Sequence, residues 1–151
     1  MSKNPRGFTL LEISVVLGAG ALLLALAIPS YSSIRSNVAV GGYADQVAST
    51  LQTAQSRAMT SQGGLPWGVH LNAASYVLYS GSWSSPTDQT TYSVGNGITI
   101  TANASPANCE VVFSHLTGGG TNTCTSPLKV GVGSTQKTIT VGTTTGQVSV
   151  Q

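Results

Sequence analysis

From Phe8 to Ile28 the chain is apolar except for small polar side chains and one charge, Glu12. As a helix this run is about 31 Å long at ~1.5 Å per residue, enough to cross a hydrocarbon core of ~30 Å. The short peptide Met1 to Arg6 precedes it and carries Lys3 and Arg6. Pro29 ends it, and the chain turns polar at Ser30, Ser32 and Ser33. This pattern predicts a membrane-embedded helix over residues 8–29, held at its cytoplasmic end by positive charge. Glu12 is the exception in it, because a carboxylate inside a span costs about 2.5–3.5 kcal/mol. One reading gives it a partner. If the chain is cut after Gly7, Phe8 becomes the N-terminus, and the Glu12 of one copy can face the free amine of a neighbour. The other reading has Glu12 snorkel to the interface from the first turn, with no partner.

The helical pattern continues over residues 30–62. Tyr31, Ile34 and Val38, then Ala44, Val47, Ala48, Leu51, Ala54 and Ala58, recur at three and four, an amphipathic stripe able to lie under a sheet. Gly41-Gly42 weakens its middle, by about 1 kcal/mol per Gly relative to Ala. Gly63-Gly64 followed by Pro66 is a stop signal. Beyond Gly64 the period changes to two. Trp67-Leu71 and Ser75-Ser80 read as strands joined at Asn72-Ala73-Ala74. Thr90-Val94, Gly97-Ala102, Glu110-Phe113, Leu128-Val132, Lys137-Val141 and Gln147-Val150 follow. Turn-rich segments at 80–89, 102–108, 114–127 and 142–146 separate them, and the Gly-rich segment 114–127 is expected to be a long mobile loop. The predicted fold is α+β: a long N-terminal helix (Phe8–Gln62) with a transmembrane first half, packed on an antiparallel β-sandwich or bent β-sheet head over residues 63–151.

Arg6-Gly7-Phe8-Thr9-Leu10-Leu11-Glu12, the apolar run, and Ala27-Ile28-Pro29-Ser30-Tyr31 together resemble the class III signal of type IV pilins and type II secretion pseudopilins. The resemblance covers about the first 31 residues closely. It implies that residues 1–7 are a leader removed by a prepilin peptidase, which cuts after Gly7 and methylates the amine of Phe8. It also implies that Glu12 docks subunits into a helical filament and that Pro29 marks a bend in the helix. More loosely, Leu51-Gln52-Thr53-Ala54-Gln55-Ser56-Arg57-Ala58, Trp67-Gly68-Val69, Val111-Val112-Phe113 and the closing Ile139-Thr140-Val141 with Gly146-Gln147-Val148 resemble GspH/FimT-like minor pilins and pseudopilins. The implied partners are other subunits, the peptidase, membrane lipid before assembly, and an inner-membrane assembly platform with a separate ATPase. The implied location is the bacterial inner membrane, head outside, and then the filament. A rival exists in Ala25-Leu26-Ala27, which has the form of an ordinary secretory cleavage site and would release a soluble domain starting at Ile28.

Charge narrows the function further. The chain of 151 residues has a formal charge of +2, and only 7% of its residues are charged. Without Lys3 and Arg6, the side chains Arg35, Arg57, Lys129 and Lys137 balance Glu12, Asp45, Asp88 and Glu110. The basicity therefore belongs to the leader. A DNA-binding minor pilin for DNA uptake shares the fold but finds little support in charge. Cys109 and Cys124 are an even pair in an exported domain, which predicts a disulfide worth about 3 kcal/mol. The alternative is a metal site on Cys109, His115 and Cys124, with His70 as the only remaining fourth ligand, but these spacings fit no standard zinc pattern.

Enzyme chemistry finds no motif, and no cofactor is expected. His70 or His115 with Asp45 or Asp88 lacks a nucleophile elbow. Gly118-Gly119-Gly120 lacks the Lys and Ser/Thr of a phosphate loop. Asn103-Ala104-Ser105 matches a glycosylation sequon, read as a chance match.

Overall fold

The computed structural model describes residues 7–124 and 127–151, with backbone only at residues 26–30 and 32. The leader before Gly7, the bend expected at Pro29, and a cleavage after Ala27 thus fall outside the described residues. The chain is α+β and divides into two compact units, Met1–Arg35 and Ser36–Gln151. Helix α1 (Leu10–Met59) contributes to both.

In the first unit the helix begins where Thr9 caps it. The Glu12 amide donates to Thr9 Oγ1 at 3.2 Å. The Ile13 amide donates to the Thr9 carbonyl at 3.2 Å, and the Ser14 hydroxyl donates to the Leu10 carbonyl at 2.9 Å. Among the described residues no helix is long and apolar enough to cross a membrane.

In the second unit, the helix buries Val40, Ala44, Val47, Ala48, Leu51, Ala54 and Ala58. The expected stripe is corrected at its start. Tyr31, Ile34 and Val38 are 70%, 61% and 71% exposed. At ~100° per residue, Ala44 lies about 120° around the helix from Val38, so the two halves of the stripe belong to different faces. Val40, one turn before Ala44, is the true start of the buried face. The helix runs unbroken through Gly41 and Gly42. It ends at Met59, short of the expected Gln62, and Ser61 follows in a left-handed conformation at φ 56°.

Among the described residues, ten strands form two antiparallel sheets of five. They are β1 (Trp67–Asn72), β2 (Ser75–Ser82), β3 (Ser85–Ser93), β4 (Thr99–Ala102), β5 (Ser105–Pro106), β6 (Asn108–Phe113), β7 (Gly120–Asn122), β8 (Leu128–Val132), β9 (Thr135–Val141) and β10 (Val148–Val150). The first sheet has the order β3-β2-β1-β6-β7 and the second β10-β9-β8-β4-β5. One core joins the helix face to both sheets: Val69, Leu71, Leu78, Val111 and Phe113 from the first, Ile100, Leu128, Val130 and Ile139 from the second. Strand alternation sends these side chains inward on every second residue.

Three expected loops contain strands. Most of β3 lies in segment 80–89. It is an edge strand, exposed on nearly its whole length, so it needs no apolar alternation to declare it, and an edge tolerates Pro86. β5 lies in segment 102–108, closed by a two-residue turn in which Asn103 (φ 48°) and Ala104 (φ 66°) are both left-handed. β7 lies in segment 114–127 and pairs with β6. That Gly-rich segment is also fastened to the helix end. The Leu116 amide donates to the Ala58 carbonyl at 3.1 Å. The Gln55 amide group donates to the Gly118 carbonyl at 3.4 Å and to the Thr145 carbonyl at 2.8 Å. Ala104 tests the turn. Its left-handed backbone strains an L side chain, so Ala104→Gly is expected to raise stability by about 0.5–1 kcal/mol, read as a higher urea midpoint.

Candidate assembly site

The residues singled out for assembly sit together at the start of α1. Gly7 is exposed and Phe8 is 78% exposed, which leaves the peptide between them accessible. Thr9, Leu10, Leu11 and Glu12 have the T-x-x-E spacing of a capping box, with Thr9 as the cap and Glu12 three residues on. The backbone half of that box is formed, through the Glu12 amide and Thr9 Oγ1. Glu12 thus sits in the first turn, where a negative charge is favoured by the partial positive charge at the helix start. This local role was legible in the T-x-x-E spacing and is an addition to the docking role expected from the sequence.

Around Glu12 the helix presents apolar side chains in every direction. Leu10 and Leu11 are 86% and 73% exposed, Val15 and Val16 both 63%, Leu17 68%, and Leu22, Leu23 and Leu24 are 71%, 70% and 66%. Consecutive residues at ~100° steps cover the whole circumference. A helix apolar all round is stable only when surrounded, by lipid or by other protein. Gly18 and Gly20 leave open space where a Cβ would stand.

In the head, Cys109 and Cys124 form a disulfide with Cα atoms 5.0 Å apart. It joins β6 to the chain just after β7. Thr123 adds two bonds at the same place: the Glu110 amide donates to Thr123 Oγ1 at 2.8 Å, and the Thr123 hydroxyl donates to the Glu110 carbonyl at 3.0 Å. Both sulfurs being bonded, the alternative metal site with His115 is overturned. Among the described residues no group of His, Cys, Asp and Glu could hold a metal ion.

The two lysines of the second sheet do not share a face. Lys129 pairs with Thr138 and Lys137 with Val130 on adjacent strands, so the register puts the two lysines on opposite faces of the second sheet. Arg57 lies over the ring of Trp67, 4.7 Å from its centroid, and the Trp67 indole N–H donates to the Gln62 carbonyl at 2.9 Å. His70 lies on β1 and stacks on Trp83, a contact for which the sequence carried no signal. Comparison with known families, with curated proteins and with solved structures found no match.

Proposed function

We propose that this chain is a structural subunit, a minor pilin or pseudopilin of the GspH/FimT-like kind, of a type IV pilus or type II secretion pseudopilus. The observation that carries the reading is the first helical segment, apolar around its whole circumference with one carboxylate in its first turn. Such a segment needs an apolar surround. In this reading the surround is inner-membrane lipid before assembly and the packed helices of neighbouring copies afterwards. A prepilin peptidase cuts after Gly7 and methylates Phe8, and Glu12 then faces the amine of a neighbour's Phe8. An assembly platform with its own ATPase supplies the work of extraction. The chain itself is not an enzyme and takes no cofactor. The DNA-uptake reading loses ground with Lys129 and Lys137 on opposite faces.

Intact mass and N-terminal sequencing of the protein from its native membrane fraction test the proposal. A methylated Phe8 start is expected. A start at Ile28 would remove Glu12 with the whole apolar segment and overturn it in favour of a secreted β domain.

A further inference from the structure

The outer face of the first sheet carries a cleft that filament assembly does not explain. The register sets Glu110 beside His70 across β6 and β1, and Tyr79 of β2 beside Gly68. The missing side chain of Gly68 gives the Tyr79 ring its place, since a Cβ there would stand 2.8 Å from that ring. The Tyr79 hydroxyl donates to Glu110 Oε2 at 2.8 Å. Burial first, then the hydrogen bond to Glu110 and its charge, raise the Tyr79 pKa above the ordinary tyrosine range, so this hydroxyl remains a neutral donor. Trp83, in the tight turn between β2 and β3, folds back over the same face. Its ring stacks on His70 with centroids 3.9 Å apart and planes 6° from parallel. It also sits tilted beside Tyr79, with centroids 5.4 Å apart. His70 and Tyr79 are buried, whereas Trp83 keeps 38% exposure.

The result is an open cleft of about 410 Å³, lined among others by His70, Trp83, Asn108, Glu110 and Thr123. Among the described residues its lining holds a single formal negative charge, the Glu110 carboxylate, and no lysine or arginine. The bond from Tyr79 occupies only Oε2. Among the described residues His70 Nδ1 is buried without a hydrogen-bond partner, so that nitrogen does not satisfy the carboxylate. An aromatic face concentrates negative potential, and a carboxylate beside it adds a full charge. A neutral ligand closing over this cleft would desolvate Glu110 without a counter-charge, which is unfavourable.

We propose that this cleft binds a cationic group, an ammonium or a guanidinium, with the charge at Glu110 Oε1 and the adjoining carbon chain against the Trp83 ring. Such a group comes from two sources, a basic side chain of another protein or a free polyamine. The test follows the two tryptophan indole N–H signals by NMR on the full chain in detergent micelles. Trp67, bonded to Gln62, is the internal reference. The probes are N-acetyl-arginine methylamide, spermidine, the uncharged citrulline analogue of the arginine probe, and methyl glucoside. The arginine probe or spermidine is expected to shift the Trp83 signal saturably, with the citrulline analogue about tenfold weaker or more. Tighter binding of the arginine probe points to a protein partner, and tighter binding of spermidine to a polyamine. Glu110→Gln still accepts the Tyr79 hydrogen bond, so it is expected to weaken binding about tenfold while leaving the thermal midpoint and the Trp67 signal in place. Equal binding of arginine and citrulline, binding of methyl glucoside instead, or no shift from any probe would overturn the proposal.

Discussion

Glu12→Ala is expected to be cut after Gly7 as efficiently as the parent and to enter filaments at least tenfold less. Two effects act in the same direction. In the proposed filament core the variant would leave a neighbour's Phe8 amine without its carboxylate. Breaking one partner of a buried pair costs about 3–5 kcal/mol. In the membrane, on the same reading, the variant would shed a charge whose insertion costs up to about 2.5–3.5 kcal/mol at the helix centre and less at its first turn, so the lipid-embedded precursor would become more stable. The balance therefore shifts from filament to membrane on both sides. The helix start contributes little, because the Thr9 cap uses the backbone amide of residue 12, which alanine retains, and the lost first-turn charge is worth only about 0.3–1 kcal/mol. Thr9→Ala supplies the control. It removes the cap at a cost of about 1 kcal/mol and leaves the carboxylate in place, so its incorporation falls little. Quantitative blotting of sheared filaments against the membrane fraction reads both variants. Normal incorporation of Glu12→Ala would remove the docking role.

Cys109→Ser with Cys124→Ser is expected to cost about 3 kcal/mol, the entropy released when a loop of this size is opened in the unfolded chain. The sequence separation is 15 residues. For a unit of this size, that loss lowers the melting midpoint by roughly 10 °C or more. The native structure limits further damage, since Thr123 holds both the amide and the carbonyl of Glu110 without the sulfurs. Thermal unfolding of the full chain in detergent, with and without a reductant, checks it. Reduction of the parent and the double substitution should give the same midpoint. A loss below about 1 kcal/mol would contradict the loop-entropy account.

The helix, most of the strands and the disulfide could be read from the chain because each rests on a local or paired signal. Val69 and Leu71 alternate with outward residues, and Ala44 to Ala58 recur at helical spacing. What could not be read has a physical reason in each case. The period of three and four is satisfied by Tyr31, Ile34 and Val38 as well as by Ala44 to Ala58. Only phase across Gly41-Gly42 separates an exposed face from a buried one. β3 is hydrogen-bonded on one side and wet on both faces, so Thr87 to Thr91 carry no apolar mark. β5 depends on Ala104 taking a left-handed conformation that its side chain disfavours. The Trp83–His70 stack joins a turn to a strand interior, and no spacing along the chain encodes it. The assembly residues were proposed from resemblance, and the cap at Thr9, which was not among the expectations, has its signal in the T-x-x-E spacing.

The nine residues of β3, all exposed but the half-buried Pro86, include one charge, Asp88, among hydroxyls, an amide, a proline and a tyrosine. Ions in solution shorten the reach of charge, to about 10 Å at 0.1 M salt, but they find little to screen on such a coat. Heads that meet along it feel hydroxyl contacts and packing, which dilution or brine barely alters. A fibre clad in this surface would keep its lateral spacing from fresh water to concentrated salt, where a fibre clad in lysine and glutamate would swell and tighten.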